Sequence, residues 1–315
     1  MSKKILLSGV KPSGSVHLGN YFGAMKQFVD LQKDYQPFIF IADYHALTTI
    51  KNKEAMEKNS FEIALDYLAI GLEPENVTFY KQSSIPEHTE LAWIFNCITT
   101  MPYLMRAHAF KDSEAKNKEI NVGVFDYPML MSADILLYDP DIVPVGQDQK
   151  QHVEFARDTA TKFNRIFGEA FKLPEPMILD SMKTIPGIDG QKMSKSYNNT
   201  IPLFASNDEI QKLVMGIVTD SDSEVPENVK AIHSLLIDQE SLERLYTEKA
   251  GKYKDLKEAL IADLISFVTP LRERREALIS DKKKVLSIIE KGTQTAKVKA
   301  EEKMKKVKEL IGVLS

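Results

Sequence analysis

The chain has 315 residues, 43% of them apolar and 27% charged, with a formal net charge of −4. Such proportions are ordinary for a globular protein, and the length suffices for one large or two medium domains with a sizeable core. A single cysteine, Cys97, excludes an internal disulfide, and no apolar run reaches the roughly 18 residues of a membrane span, so a cytoplasmic protein without membrane contact is expected.

The opening MSKKILLSGV starts with charge, but its apolar run is too short for a signal peptide; it reads as a first strand. Four short β-rich runs, at 3–9, 37–43, 77–83 and 141–146, are each bounded by Gly, Pro, Asp or Ser. Helical patterns lie between them. Tyr21, Met25, Phe28 and Gln32 keep a spacing of three to four, as do Phe61, Leu65 and Leu68. Gln149, Val153, Ala156, Ala160, Phe163 and Phe167 sustain it over five turns. Cys97 sits in the apolar helical pattern LAWIFNCITTM and is expected to be a buried, inert thiol. Strands alternating with helices predict a Rossmann-like α/β domain, a mostly parallel sheet with helices on both faces.

From about residue 203 the strand signal ends and helical patterns follow one another. Pro270 is expected to kink or restart one of these helices. The last stretch places Ala296, Ala300, Met304, Val307, Ile311 and Leu314 on one face, an amphipathic helix that must pack on something. The expected organisation is an α/β domain over 1–195, an all-helical domain over 196–292, and a helix over 293–315 returning to the first domain.

Charge is unevenly distributed. Residues 281–315 hold ten Lys against five Asp and Glu, net +5, which leaves −9 for the remainder. Such asymmetry marks either a face that meets a polyanion or a solvated helix face.

Two distant stretches carry chemistry. In SGVKPSGSVHLGN (8–20) the first strand ends in a turn rich in Gly, Pro and Ser, and a helix begins near Gly19. Glycines let backbone amides approach a ligand, and a helix N-terminus offers free N–H groups, a combination that favours phosphate. The spacing fits neither the P-loop nor the dinucleotide fingerprint, and a plain turn explains the stretch equally well. A neutral His17 imidazole and the Asn20 amide can each donate to a phosphate oxygen. The second stretch is QKMSKSYNN at 191–199. There Lys192 and Lys195 stand three apart, on a chain that Gly187 and Gly190 are expected to make mobile. Flexible ammonium groups suit a pyrophosphate whose charge grows as it leaves.

With HLGN and KMSKS together, the chain resembles the class I aminoacyl-tRNA synthetases. DYPMLMSADILLYDPDIVPVGQDQKQHVE (126–154), SGVKPSGSVHLGNYFGAMKQF and TDSDS (219–223) are similar to the bacterial tryptophanyl branch of that family. The tyrosyl branch usually ends the first signature in His where this chain has Asn20. The resemblance implies ATP contacts at Lys11, Pro12, Ser13, Gly19, Asn20, Gly146, Gln147, Asp148, Ile185, Lys192, Met193, Ser194, Lys195 and Ser196. It also implies a catalytic group of Lys192, Lys195, His17 and Asn20. It implies a tryptophan site centred on Asp134, whose carboxylate accepts the indole N–H. Tyr127 and Gln149 hold the α-amino group, Met131, Val143, Val145 and Leu7 line the slot, and His45 lies nearby. The plain alternative for Asp134 is a helix N-cap, although Ser132 is placed to supply that cap.

Two departures stand out: Lys11 replaces a usual Gln, and Ser113 stands where a phosphate-gripping lysine is common, so that Lys111, Lys116 or Lys118 substitutes or the load falls on Lys192 and Lys195. The resemblance further implies L-tryptophan, ATP and tRNA(Trp) as partners and a homodimer. Mg²⁺ is expected on the phosphates and waters, with no protein metal site. Lysines of 281–308 with Arg272, Arg274 and Arg275 are candidates for tRNA phosphate contact. AWIFNCITTMPYLM is a candidate for the dimer interface or for ordinary core. The readings kept open beside this one are a nucleotidylyltransferase that never touches RNA, a tyrosyl enzyme, and a non-catalytic RNA-binding relative.

Overall fold

A computed structural model describes residues 3–107, 110–111, 120–146, 149–178, 185–219 and 224–314. Five parallel strands form one sheet in the order β3-β2-β1-β4-β5: β1 (Ile5–Val10), β2 (Gln36–Ile41), β3 (Thr78–Lys81), β4 (Ile142–Val145) and β5 (Glu175–Ile178). Register pairs Ile5 with Gln36, Phe38 with Thr78 and Ile142 with Glu175. The order reverses between β1 and β4, so a crevice opens at their carboxyl ends, where ligands of such sheets bind.

Four of these strands match the runs read from sequence. β5 is the additional one. Its sequence EPMI carries a proline, and none of its residues is buried: Pro176 and Met177 are half-buried and the two ends are exposed, as an edge strand permits.

Side chains of β2 alternate between two cores. Ile39 and Ile41 face a cluster with Leu18, Phe22, Leu65 and Phe79; Phe38 and Phe40 face another with Tyr80, Leu91, Phe95 and Ile135. The first cluster is covered by α1 (Leu18–Asn20), a π-helical turn (Tyr21–Met25), α2 (Lys26–Leu31) and, after the short α3 (Asp43–Ala46), by α4 (Lys53–Ala69). The second is covered by α5 (Glu87–Ile98), α6 (Met101–Leu104), α7 (Val122–Leu136) and α8 (Lys150–Phe167).

Helices alone follow: α9 (Asn207–Met215), α10 (Glu227–His233), α11 (Gln239–Glu248), α12 (Tyr253–Ser280) and α13 (Lys282–Ile311). Of the kink or restart expected at Pro270, the restart does not occur: α12 runs continuously across it. Val285 and Ile289 of α13 join the first core, whereas Ala296, Ala300, Met304 and Val307 join the second. Between them Gly292 lies on the backbone of Phe79, where an added Cβ would stand 2.0 Å from the carbonyl oxygen. The helix therefore covers the edge presented by β3, which pairs on only one side. The α13 lysines assist: Lys291 pairs with Glu75 (2.8 Å), Lys308 with Glu90 (2.7 Å), and Lys303 with Asp139. Part of the charge asymmetry thus serves docking within the chain.

Cys97 is exposed, contrary to the sequence reading. His88, Leu91, Ala92 and Phe95 form the buried face of α5, and Cys97 falls on the other side with Trp93, which is 70% exposed.

Candidate active site

At the reversal point lies a cavity of about 1700 Å³. Every site residue selected from sequence and described in the structure lines it except Pro12, which is buried in its loop, and Lys111, which is exposed and outside the lining. Gln147, Asp148, Ser113, Lys116, Lys118 and residues 220–223 lie outside the described residues.

The two signature stretches are stitched together. Leu18 N–H donates to the Ile201 carbonyl (3.0 Å) and Leu203 N–H to the Val16 carbonyl (2.9 Å), a short bridge centred on His17 and Pro202. Gly19 N–H donates to Met193 Sδ (3.3 Å). The Lys195 ammonium reaches the Ser13 carbonyl at 2.8 Å. Burial lowers the lysine's pKa below its ordinary value, with Asp66 opposing that effect.

This stitching corrects the idea of free helix-start amides. Asn20 N–H is taken by His17 (3.3 Å to Nδ1), so the amides of residues 18, 19 and 20 all have partners within the chain. At these three positions no main-chain N–H is left for a ligand. His17 caps α1 reciprocally, its N–H donating to Asn20 Oδ1 (3.2 Å) while its Nδ1 accepts. An accepting Nδ1 leaves the ring proton on Nε2. Burial, aided by the Lys195 charge, pushes the His17 pKa down to about 4, so the imidazole is a neutral donor. Asn20 retains its Nδ2 group for donation.

Gly187 and Gly190 each meet a geometric need. A Cβ on Gly187 would lie 2.4 Å from the Asn199 side chain, and Gly190 adopts φ +81° in the turn before Lys192. Met193 N–H bonds to the Ile185 carbonyl (2.9 Å), so that N–H is taken within the chain.

The other end of the cavity is organised by Asp134, 1% exposed and inside α7. It is not an N-cap; Asn121 caps that helix, and Ser132 donates from its interior to the Pro128 carbonyl (2.8 Å). Asp134 Oδ1 accepts from Gln82 Nε2 (2.7 Å) and bonds His88 Nδ1 (2.6 Å), while Oδ2 bonds His45 Nε2 (2.8 Å). Burial alone would push the carboxyl up, but the hydrogen bonds and charges of His45 and His88 outweigh it and hold the pKa at about 2. The group is therefore an ionised acceptor in an apolar slot, and Oδ2 retains capacity for one more donor. Leu7, Val143 and Val145 are buried beside it, and Met131 is half-buried. Tyr127 hydroxyl bonds His152 Nε2, and Gln149 lies on the same wall.

A relay joins the two ends. Thr48 Oγ1 donates to the His45 carbonyl (2.8 Å) and accepts from Lys11 Nζ (3.3 Å). Lys11 thus stands between the Asp134 slot and the Ser13–Lys195 contact, its pKa lowered by burial.

Sequence reading missed Gln82, His88, Thr48 and Asn199. His88 did leave a signal: with Leu91, Ala92 and Phe95 it occupies the apolar face of α5 at helical spacing, where an imidazole needs a buried partner. Asn199 carried none, since it lies outside any periodic element, and Gln82 read only as the polar end of the run at 77–83, although it starts a 3₁₀ turn after β3.

Of the arginines considered for RNA contact, Arg272 donates to the Ala205 carbonyl (2.7 Å) and Asn207 Oδ1 (2.9 Å), and Arg275 to Asp66 Oδ1 (2.6 Å). Both are committed to joining α12 to its neighbours.

Comparison with known proteins places this geometry. The family model for class I tRNA synthetases (W and Y) matches residues 2–281. The tryptophan–tRNA ligase of Fusobacterium nucleatum is 47% identical, covering 98% of each chain, and that of Rhodopirellula baltica is 45% identical over 93% of this chain and 94% of its own. The crystal structure of tryptophanyl-tRNA synthetase from Campylobacter jejuni complexed with ADP and tryptophan superposes with a TM-score of 0.92 at 41% identity, covering 98% of this chain and 99% of that one. The chain belongs to the class I tRNA synthetases and, within them, to the tryptophan–tRNA ligases of bacterial type.

Proposed function

We propose that this chain activates L-tryptophan with ATP and transfers it to tRNA(Trp). The tryptophan carboxylate attacks the α-phosphorus of ATP in line and forms tryptophanyl-adenylate. The bond to the bridging oxygen breaks, and pyrophosphate departs with its electron pair. A terminal ribose hydroxyl of the tRNA then attacks the activated carbonyl, and AMP leaves. The attacking carboxylate is already ionised, so the first step requires no general base; it requires alignment and stabilisation of growing charge.

One observation carries the reading: Lys195 bonds the Ser13 carbonyl at 2.8 Å, which closes the second signature over the first at one end of a cavity whose other end holds an acceptor-only carboxylate. In this reading His17 and Asn20 donate to phosphate oxygens, and Lys192 and Lys195 take up the charge of the departing pyrophosphate. Asp134 accepts the indole N–H, while Tyr127 and Gln149 hold the α-amino group. Leu7, Met131, Val143 and Val145 form the walls of the indole slot. Gly146, Ile185 and Met193 border the adenosine.

Mg²⁺ would be held by the phosphates; among the described residues no group of three or more His, Cys, Asp or Glu is placed to hold a metal ion. The ion would neutralise phosphate charge, while the side chains orient both substrates.

The helices of 196–292 are assigned to the tRNA anticodon and 293–315 to docking on the catalytic domain 1–195. With Arg272 and Arg275 committed internally, Arg274 and the lysines Lys282, Lys283, Lys284, Lys305 and Lys306 are the proposed phosphate contacts. Dimerisation is assigned to the exposed apolar side of α5 and α6, where Trp93 is 70% and Met101 67% exposed. A cytoplasmic location fits; among the described residues no helix is long and apolar enough to cross a membrane.

The deciding experiment is ATP–pyrophosphate exchange with single amino acids. Exchange that depends on tryptophan and not on tyrosine is expected; exchange with tyrosine, or with neither, would overturn the assignment.

A further inference from the structure

We propose that Asn199 is the positioning residue that sets both signature lysines for pyrophosphate departure; the inference rests on the reading of Lys192 and Lys195 given above. Asn199 is 1% exposed although it follows an exposed loop. Its side-chain amide is fully engaged by the KMSKS segment and the turn before it. Oδ1 accepts from Ser194 N–H (2.7 Å), and Nδ2 donates to the Lys192 carbonyl (3.1 Å) and to Asp189 Oδ1 (2.7 Å). Its main-chain carbonyl accepts Ile188 N–H (3.0 Å). The partners fix which way the amide faces, since a carbonyl and a carboxylate can only accept and a backbone N–H can only donate.

Local conformation is arranged around this contact. Lys195–Tyr197 form a single 3₁₀ turn, and Asn198 then adopts φ +52°, the left-handed region, which turns the chain back beneath the loop. Gly187 leaves room for the amide, because a Cβ there would meet the Asn199 Cγ and Nδ2 at 2.4 Å. The clasp therefore holds the backbone at residue 192 and at residue 194, on either side of Met193, and so fixes the base from which each lysine extends. A flexible lysine acts on a leaving group only when its anchoring backbone is held, since a displacement of about 1 Å can cost about 100-fold in rate.

Full-length variants test this. Asn199→Asp keeps the Ser194 acceptor but replaces both donors with a carboxylate facing Asp189; Asn199→Ser removes the clasp without adding charge. Each is expected to lower kcat of tryptophan-dependent ATP–pyrophosphate exchange about 100-fold and to leave the Kd for tryptophan within about twofold. Adding Asp189→Asn to Asn199→Asp returns an amide donor to the pair and is expected to recover at least about tenfold. A kcat within about threefold of the unaltered chain in both single variants overturns the proposal. A parallel loss of tryptophan affinity or of the folded state also overturns it, because the amide would then support the whole fold. No recovery in the double variant counts against it equally. If the unaltered chain itself lacks tryptophan-dependent exchange, the proposed reaction fails and the positioning role fails with it; loss confined to the variants separates the two.

Discussion

Lys195 donates a 2.8 Å hydrogen bond to the carbonyl oxygen of Ser13, 182 residues earlier in the chain. That contact joins the loop after β1 to the loop that precedes the helical half. Among the described residues no carboxylate pairs directly with the lysine, whose hydrogen bond is to a carbonyl oxygen that a phosphate can replace.

Lys195→Ala should therefore act on the transition state. Removing one charged donor aimed at a departing group costs about 100- to 1000-fold in kcat. ATP affinity measured by calorimetry should change far less. Equal losses in exchange rate and in ATP affinity would assign the lysine to ground-state binding instead.

Asp134 should govern which aromatic side chain is accepted. Its carboxylate is buried and already serves three partners, so a ligand without an N–H leaves one oxygen short of a donor. Asp134→Asn should lower the preference for tryptophan over phenylalanine, in kcat/KM, by an amount equivalent to about 1–3 kcal/mol. Competition exchange assays with both amino acids measure it.

His17 should make folding stability sensitive to mild acid. Its pKa is depressed from 6.5 to about 4 in the folded chain, so between those values the unfolded chain binds the proton and the folded chain does not. The contribution is fully present above pH 6.5 and is lost as pH falls through about 4. Melting temperatures across that window should fall more steeply for the unaltered chain than for His17→Asn. Because the imidazole stays neutral above about 4, His17 should impose no acid limb on exchange near pH 6.5.

Gly292 should tolerate no side chain. A Cβ would meet the Phe79 carbonyl at 2.0 Å, and neither the β3 backbone nor α13 can yield without loss of contact. Gly292→Ala should destabilise the fold by about 1–3 kcal/mol or more, read from chemical denaturation. Stability equal to that of the unaltered chain would show that α13 does not seat on β3 in solution.

Much of this was legible in the sequence where physics acts locally. The apolar runs that became β1 to β4 are continuous because both sheet faces are covered, and the two phosphate-suited stretches declared themselves by residue type. What could not be read depends on tertiary contact. β5 is held by pairing to β4 and carries Pro176, so it lacks a strand pattern. Cys97 shares a helix with core residues yet faces outward, a matter of phase that a short apolar pattern leaves ambiguous. The amides of residues 18 to 20 looked free because their partners, His17 aside, lie beyond residue 190. Asn199 resembled an ordinary loop residue until its amide was seen to hold the backbone at Lys192 and Ser194.

In the proposed reaction the loop carrying His17 and the loop carrying Lys195 act on the same triphosphate. A double-mutant cycle with His17→Asn and Lys195→Ala, read in kcat of tryptophan-dependent pyrophosphate exchange, tests it most directly. Shared action predicts a coupling energy of about 0.5–3 kcal/mol, so the double variant departs from the product of the single losses. Losses that multiply to within about 0.3–0.5 kcal/mol would mean that the two loops act at independent sites.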